Sequence, residues 1–187
     1  HLKYIKIRYP EKFIAKKLLE GFVVACFQGR MEFGPRSLGN RSILVSAADK
    51  SVNEWLNTKL KRTEFMPFAP ITLQKYANKM YKNLSKKKLA SKFMTITTEC
   101  TKEAIKISPA AVHIDNTARP QIITMKDNKR IYNILKEYYK ISKIPNLINT
   151  SFNVHEEPIV CSPNDAIRAF NTSKLDYLYM GEYIVYK

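Results

Sequence analysis

Glycine, cysteine and histidine are scarce in this chain of 187 residues, which holds five, three and three of them. The histidines stand far apart at His1, His113 and His155, and no His-Glu-x-x-His string occurs. Metal-dependent hydrolysis therefore lacks a ligand set, and no resident metal is expected. Paired carboxylates at a useful spacing are also missing, which sets glycosidase chemistry aside. Cys26, Cys100 and Cys161 are widely spaced and odd in number. They read as plain buried thiols in a reducing, cytoplasmic compartment. No apolar run approaches the roughly 20 residues that span a bilayer, and no signal peptide is visible, so no membrane partner is expected. Acidic residues are few as well: 16 against 32 Lys and Arg, a formal charge of +16. Such a balance favours polyanions or small phosphate compounds.

Hydrophobic residues make up 45% of the chain and charged ones 26%, ordinary globular values. Residues 1–187 are expected to form a single domain, and the opening His1 suggests that another domain precedes it. The pattern alternates between helical and extended periods. Helices are predicted over Glu11 to Glu20, Ser51 to about Lys61, Gln74 to Lys82, Arg130 to Lys140, and from Ser162, where serine caps a helix with proline in its first position. Strands are predicted over Phe22 to Phe27, Ser42 to Ser46, Phe93 to Thr98, Ala110 to Ile114, Gln121 to Met125, Asn146 to Asn149, Tyr177 to Met180 and Tyr183 to Tyr186, with the proline-bearing Met66 to Leu73 as an extended or edge segment. Interleaved strands and helices indicate an α/β domain with a mixed sheet.

The basic residues are of two kinds. Lysines cluster from Lys79 to Lys92, including the triplet Lys86-Lys87-Lys88, and read as a solvated face. The arginines fall in loops with glycine and proline, where a planar fork meets a backbone that a ligand can approach closely. Gly29 to Arg41 carries Arg30, Arg36 and Arg41 among three glycines, without the spacing of a Walker or dinucleotide loop. Lys59-Leu-Lys61-Arg62 follows a helix, and His113 to Arg119 and Asn149 to Asn153 form further polar loops. Ser151 has no neighbouring His-Asp arrangement in the sequence, so it is not read as a nucleophile. The residues alone indicate a basic pocket for a nucleotide or an acyl phosphate, a site that stabilises charge with preorganised donors.

Four strings carry a resemblance: FQGRMEFGPRSLGNRSIL (27–44), LKRTEFMPFAP (60–70), HIDNTARPQ (113–121) and NTSFNVHEEPIVCSPNDAIRAF (149–170). Together they resemble the C-terminal domain of the carbamoyltransferases of nodulation-factor and antibiotic biosynthesis, from about Gly21 to the end of the chain. The resemblance implies a YrdC-like fold, a twisted, mixed open sheet with flanking helices. It implies formation of carbamoyl-adenylate from carbamoyl phosphate and ATP, with ATP as substrate and magnesium accompanying it. Delivery to a hydroxyl would belong to an N-terminal Kae1-like domain, and the isolated C-terminal part could be inactive in overall transfer. Carried over by motif, Arg36, Lys61, Arg119, Ser151 and Asn153 line the adenylation pocket, with Arg36 and Lys61 closest to the chemistry. Three positions depart from the family pattern: Met66 where many relatives have Arg, and Asn116 and Glu156 where Gly is usual. A competing reading is an RNA-binding module, which suits the +16 charge. The sequence lacks the aromatic–basic alternation that stacks bases, so nucleic acid is the less favoured partner.

Overall fold

In the computed structural model the described residues are 2–59, 68–84, 88–154, 156–173 and 175–187. Among them are ten strands and six α-helices: β1 Lys3–Lys6, α1 Pro10–Leu19, β2 Val24–Phe27, β3 Arg41–Val45, α2 Val52–Lys59, β4 Ala69–Leu73, α3 Ala77–Met80, β5 Thr98–Glu99, α4 Lys102–Ile107, β6 Thr117–Ala118, β7 Gln121–Ile123, α5 Lys129–Ser142, β8 Asn146–Ser151, α6 Pro163–Thr172, β9 Tyr177–Met180 and β10 Tyr183–Tyr186. Eight strands make one sheet in the order β1-β10-β9-β2-β3-β8-β4-β7, and β5 pairs with β6 apart from it. The β2–β9 and β4–β7 pairs are parallel and the other pairs antiparallel. This is the mixed open sheet with flanking helices that the sequence predicts.

Strand residues alternate between two apolar layers because successive side chains point to opposite faces. Val24, Cys26, Leu44, Ile71, Leu147 and Tyr179 pack under α1 and α5, against Ile14, Leu18, Ile131, Ile134 and Leu135. Ala25, Ile43, Val45, Ile148 and Leu178 pack on the other face against Leu56 of α2 and Ala166, Ala169 and Phe170 of α6. Tyr138 is wholly buried, and its hydroxyl bonds the Ser46 hydroxyl at 2.8 Å, so the polar tip is not stranded. α5 starts on an Asn128 cap and α6 on a Ser162–Asp165 capping box. A third cluster, with Met80, Tyr81, Leu84, Cys100 and Ala104, forms a small lobe beside β7. None of the described helices is long and apolar enough to cross a membrane.

Two predicted strands do not form. At 93–98 the chain turns at Met94 (φ 55°), and Thr95 folds back so that its hydroxyl donates to the Ala90 carbonyl, leaving only Thr98–Glu99 extended. At 110–114, Pro109 opens a 3-10 turn through Ala111, the Ala110 amide bonds the Ala47 carbonyl, and Ile114 stands in solvent. Three elements were not predicted. Edge strand β1 has a lysine at each end and only Ile5 turned to the core, α4 is only six residues long behind its Thr101 cap, and β6 is a two-residue strand where a polar turn was expected. Of the cysteines, Cys26 and Cys100 are buried as expected, but Cys161 is exposed where the chain approaches the α6 cap.

Candidate functional site

The Gly29–Asn40 segment joins two strands that are paired side by side, β2 and β3, so its ends are fixed at neighbouring points of the sheet. The loop between them is braced from within. One oxygen of Glu32, Oε1, accepts the amides of Leu38 (2.8 Å), Asn40 (2.6 Å) and Arg41 (3.4 Å). Arg41 is buried, and its guanidinium donates to the carbonyls of Gln28 (2.8 Å), Asn40 (3.0 Å) and Gly29 (3.0 Å) while lying 3.7 Å over the Phe27 ring. Arg41 therefore acts as an internal strut, which corrects its reading as one of three anion-facing arginines. Gly39 sits at φ +127°, and a Cβ there would come within 2.6 Å of Ile131 on α5. Only glycine combines that backbone with that approach.

The loop is also tied to two distant strands. Asn149 Nδ2 on β8 donates to the Ser37 carbonyl (3.0 Å) and to Gln121 Oε1 (2.7 Å). Gln121 Nε2 on β7 donates in turn to the Leu38 carbonyl (2.8 Å), and the Phe152 amide bonds the Arg41 carbonyl (2.9 Å). This knot joins Ser37, Gln121 and Asn149, which lie beside Arg36, Arg119 and Ser151 in the sequence. Three of the four strings singled out in the sequence thus meet at one end of β3, β7 and β8.

Of the predicted site residues, Arg36 is exposed on the outer turn of the loop and Arg119 is half-buried beside it. Burial lowers the Arg119 pKa from its ordinary value, and the Arg36 charge lowers it further. Among the described residues neither guanidinium has a carboxylate partner. Two like charges held together without a counterion form a seat for an anion. Ser151 donates its hydroxyl to Asn153 Oδ1 (2.6 Å), and Asn153 Nδ2 donates to the carbonyls of Val154 (3.1 Å) and Glu157 (2.9 Å). The pair is thereby held at the end of β8. Lys61, with Arg62 and Met66, lies outside the described residues.

This arrangement can be compared with known proteins. Residues 15–187 match the family model described as "Carbamoyltransferase C-terminus". The chain belongs to the carbamoyltransferase C-terminus family. It is 39% identical over 184 residues to the uncharacterized protein MJ1058 of Methanocaldococcus jannaschii, covering 98% of this chain and 29% of that protein. It is 36% identical over 174 residues to nodulation protein NolNO of Sinorhizobium fredii, covering 92% of this chain and 25% of that protein. The chain thus spans less than a third of either relative. A crystal structure of full-length HypF in a phosphate- and nucleotide-bound form shares the fold at a TM-score of 0.65 and 20% identity, over 92% of this chain and 21% of HypF.

Two of the three departures from the family pattern lie in the described residues. Asn116 and Glu156 both adopt left-handed backbone, φ 61° and 64°, where the family's usual glycine would be at ease. Glu157 is held by Arg168 through two bonds of 2.7 and 2.9 Å, and that pairing lowers its pKa from the ordinary carboxylate value. Its charge is thus neutralised at the start of α6. Next to Arg119 is His113, whose Nδ1 lies 3.0 Å from the Thr117 hydroxyl. Burial lowers its pKa, the Asp115 carboxylate opposes that, and Arg119 lowers it further. His113 also lines a cavity of about 580 Å³ with Lys50, Asn53, Ile105, Pro109 and Val112.

Sequence reasoning missed the bracing residues Glu32, Gln121 and Asn149. A signal for two of them was present: Gln121 and Asn149 are amides directly beside the apolar pairs Ile122–Ile123 and Leu147–Ile148, and buried amides are kept only when bonded.

Proposed function

We propose that this chain is the adenylate-forming part of a carbamoyltransferase, converting carbamoyl phosphate and ATP to carbamoyl-adenylate. The observation that carries the reading is the unpaired Arg36–Arg119 couple held at the loop knot. Water first cleaves carbamoyl phosphate to carbamate and inorganic phosphate; a carbamate oxygen then attacks the α-phosphorus of ATP, forming the acyl–phosphate bond as the bond to pyrophosphate breaks. Both reactants are anions, so their approach needs fixed positive charge that does not reorganise during the step. Arg36 and Arg119 offer forked donors to phosphate oxygens, and Lys61 would add a mobile point charge. Ser151 and Asn153 hydrogen-bond a phosphate or the carbamoyl amide, with no covalent adduct. The cavity beside His113 has the volume of a small-molecule pocket, which makes it a candidate seat for the remainder of the nucleotide.

Magnesium would arrive with ATP. Among the described residues no three His, Cys, Asp or Glu side chains gather to hold a metal ion. Transfer of the carbamoyl group to an acceptor belongs, in this reading, to a separate Kae1-like domain, and the whole unit would work in the cytoplasm as one C-terminal domain. The test is pyrophosphate release from ATP that depends on carbamoyl phosphate. If Arg36→Ala released pyrophosphate at the unaltered rate, the arginine couple would not be the site.

A further inference from the structure

The arginine loop contains two places for negative charge, and they differ in kind. The outer place is the guanidinium couple of Arg36 and Arg119. The inner one is a concavity of backbone amides from Leu38, Asn40 and Arg41, all aimed at a single point. Converging backbone amides make a ready anion site. Here the chain fills that site itself with the carboxylate of Glu32. The second oxygen of Glu32 is buried and makes no hydrogen bond among the described residues, so the carboxylate is not held there by good solvation. Its charge also favours the protonated guanidinium of Arg41, offsetting part of the cost of burying that group. The carboxylate therefore belongs with the strut and the amides as one unit, and Arg36 is carried on the turn that this unit closes.

We propose that Glu32 is a positioning residue, an internal counter-anion that sets the loop so that Arg36 stands beside Arg119 and leaves the outer seat free for substrate phosphate. The part of this that concerns ligand rests on the nucleotide reading above. Glu32 touches no substrate in this scheme. It occupies the inner amides, which would otherwise compete for phosphate, and it fixes where the arginine points.

Two measurements on the chain test it, using the Glu32→Gln and Arg36→Ala variants and the double variant. The first is calorimetric binding of ATP with magnesium. Glu32→Gln is expected to weaken binding about 10-fold, in line with one displaced charge-assisted contact. In the Arg36→Ala background the same change is expected to cost less than about 2-fold, because the residue it acts through is gone. Losses that simply multiply would overturn the positioning role, since damage to the general fold is indifferent to Arg36. The second measurement is amide hydrogen exchange without ligand. Leu38, Asn40 and Arg41 should exchange at least about 10-fold faster in Glu32→Gln while α5 keeps its rates. Unchanged exchange at those three amides would also overturn the proposal. If the unaltered chain bound no ATP, the nucleotide reading would fail on its own, and the exchange rates would still decide whether Glu32 sets the loop.

Discussion

The arginine loop and the lysine-bearing lobe have the same sign of charge and opposite uses for it. In the lobe, Lys79 pairs with Glu103 at 3.0 Å, Lys82 with Glu99 at 2.8 Å, and Lys92 with Asp127 at 2.7 Å. These are exposed ion pairs on a surface held together by a few apolar side chains, and each stabilises little. In the loop, one arginine is buried as a strut, and Arg36, whose charge is felt at Arg119, has no carboxylate partner among the described residues. A count of charges would rank the lobe above the loop. The distribution of counterions reverses that order, because a site for anions is a place where positive charge has been left unmatched. The same contrast weakens the RNA-binding reading, since part of the lysine field is already neutralised by the chain's own carboxylates.

This contrast can be broken at several points. The largest effect is expected from Gly39→Ala, which places a Cβ against Ile131 at a backbone angle that other residues avoid. It should lower the free energy of unfolding by about 3 kcal/mol in urea titration and loosen the loop from α5. Next, Arg36→Ala or Arg119→Ala should each weaken ATP or carbamoyl phosphate binding about 10- to 100-fold by calorimetry. Their melting temperatures should stay level or rise slightly, because each change relieves a like-charge contact.

A smaller effect concerns pH. His113 has a folded-state pKa below its unfolded one, so the unfolded chain takes up the proton first. Stability is then unaffected by this group above about pH 6.5 and falls as pH drops below that value. The melting temperature of the unaltered chain should therefore decline more between pH 7 and 5 than that of His113→Gln. Smallest of all, Lys79→Ala or Lys82→Ala should change stability by no more than about 0.5 kcal/mol and leave ligand binding where it was.

Much of this fold was legible because its signals are local. Val24–Phe27 is an unbroken apolar run, Tyr177–Met180 and Tyr183–Tyr186 flank a glycine turn, and α5 shows one apolar face along its length. The failures share a cause as well. Ala110 to Ile114 has the composition of a strand, but it is pinned to Ala47 across the fold and opened by Pro109, a tertiary contact overriding local preference. β1 shows little apolar periodicity within its four residues, with Ile5 alone packing on the core, and it is paired by β10. The motifs singled out Arg36 and Arg119, and the loop that carries Arg36 is tied to the strand that follows Arg119. The demotion of Arg41 was not legible, because a guanidinium that ties a loop and one that faces a ligand look identical in sequence. Glu32 was hidden for the same reason: its partners are backbone amides, which have no letter.

The order of strands bears on how the chain must be made. β9 and β10 are the last two strands, yet they lie between β2 and β1, two of the first. Until the segment at 177–186 exists, β2 has no parallel neighbour and β1 has no neighbour at all. While the segment from β1 to α6 is emerging, both strand edges would stay exposed, and this sheet would close only when the 177–186 segment arrives. Closure brings in Asp176, whose carboxylate takes the Val23 amide at the entry to β2. Removing the final hairpin would therefore open the middle of the sheet, and the product should aggregate through β2 more readily than a chain shortened at β1.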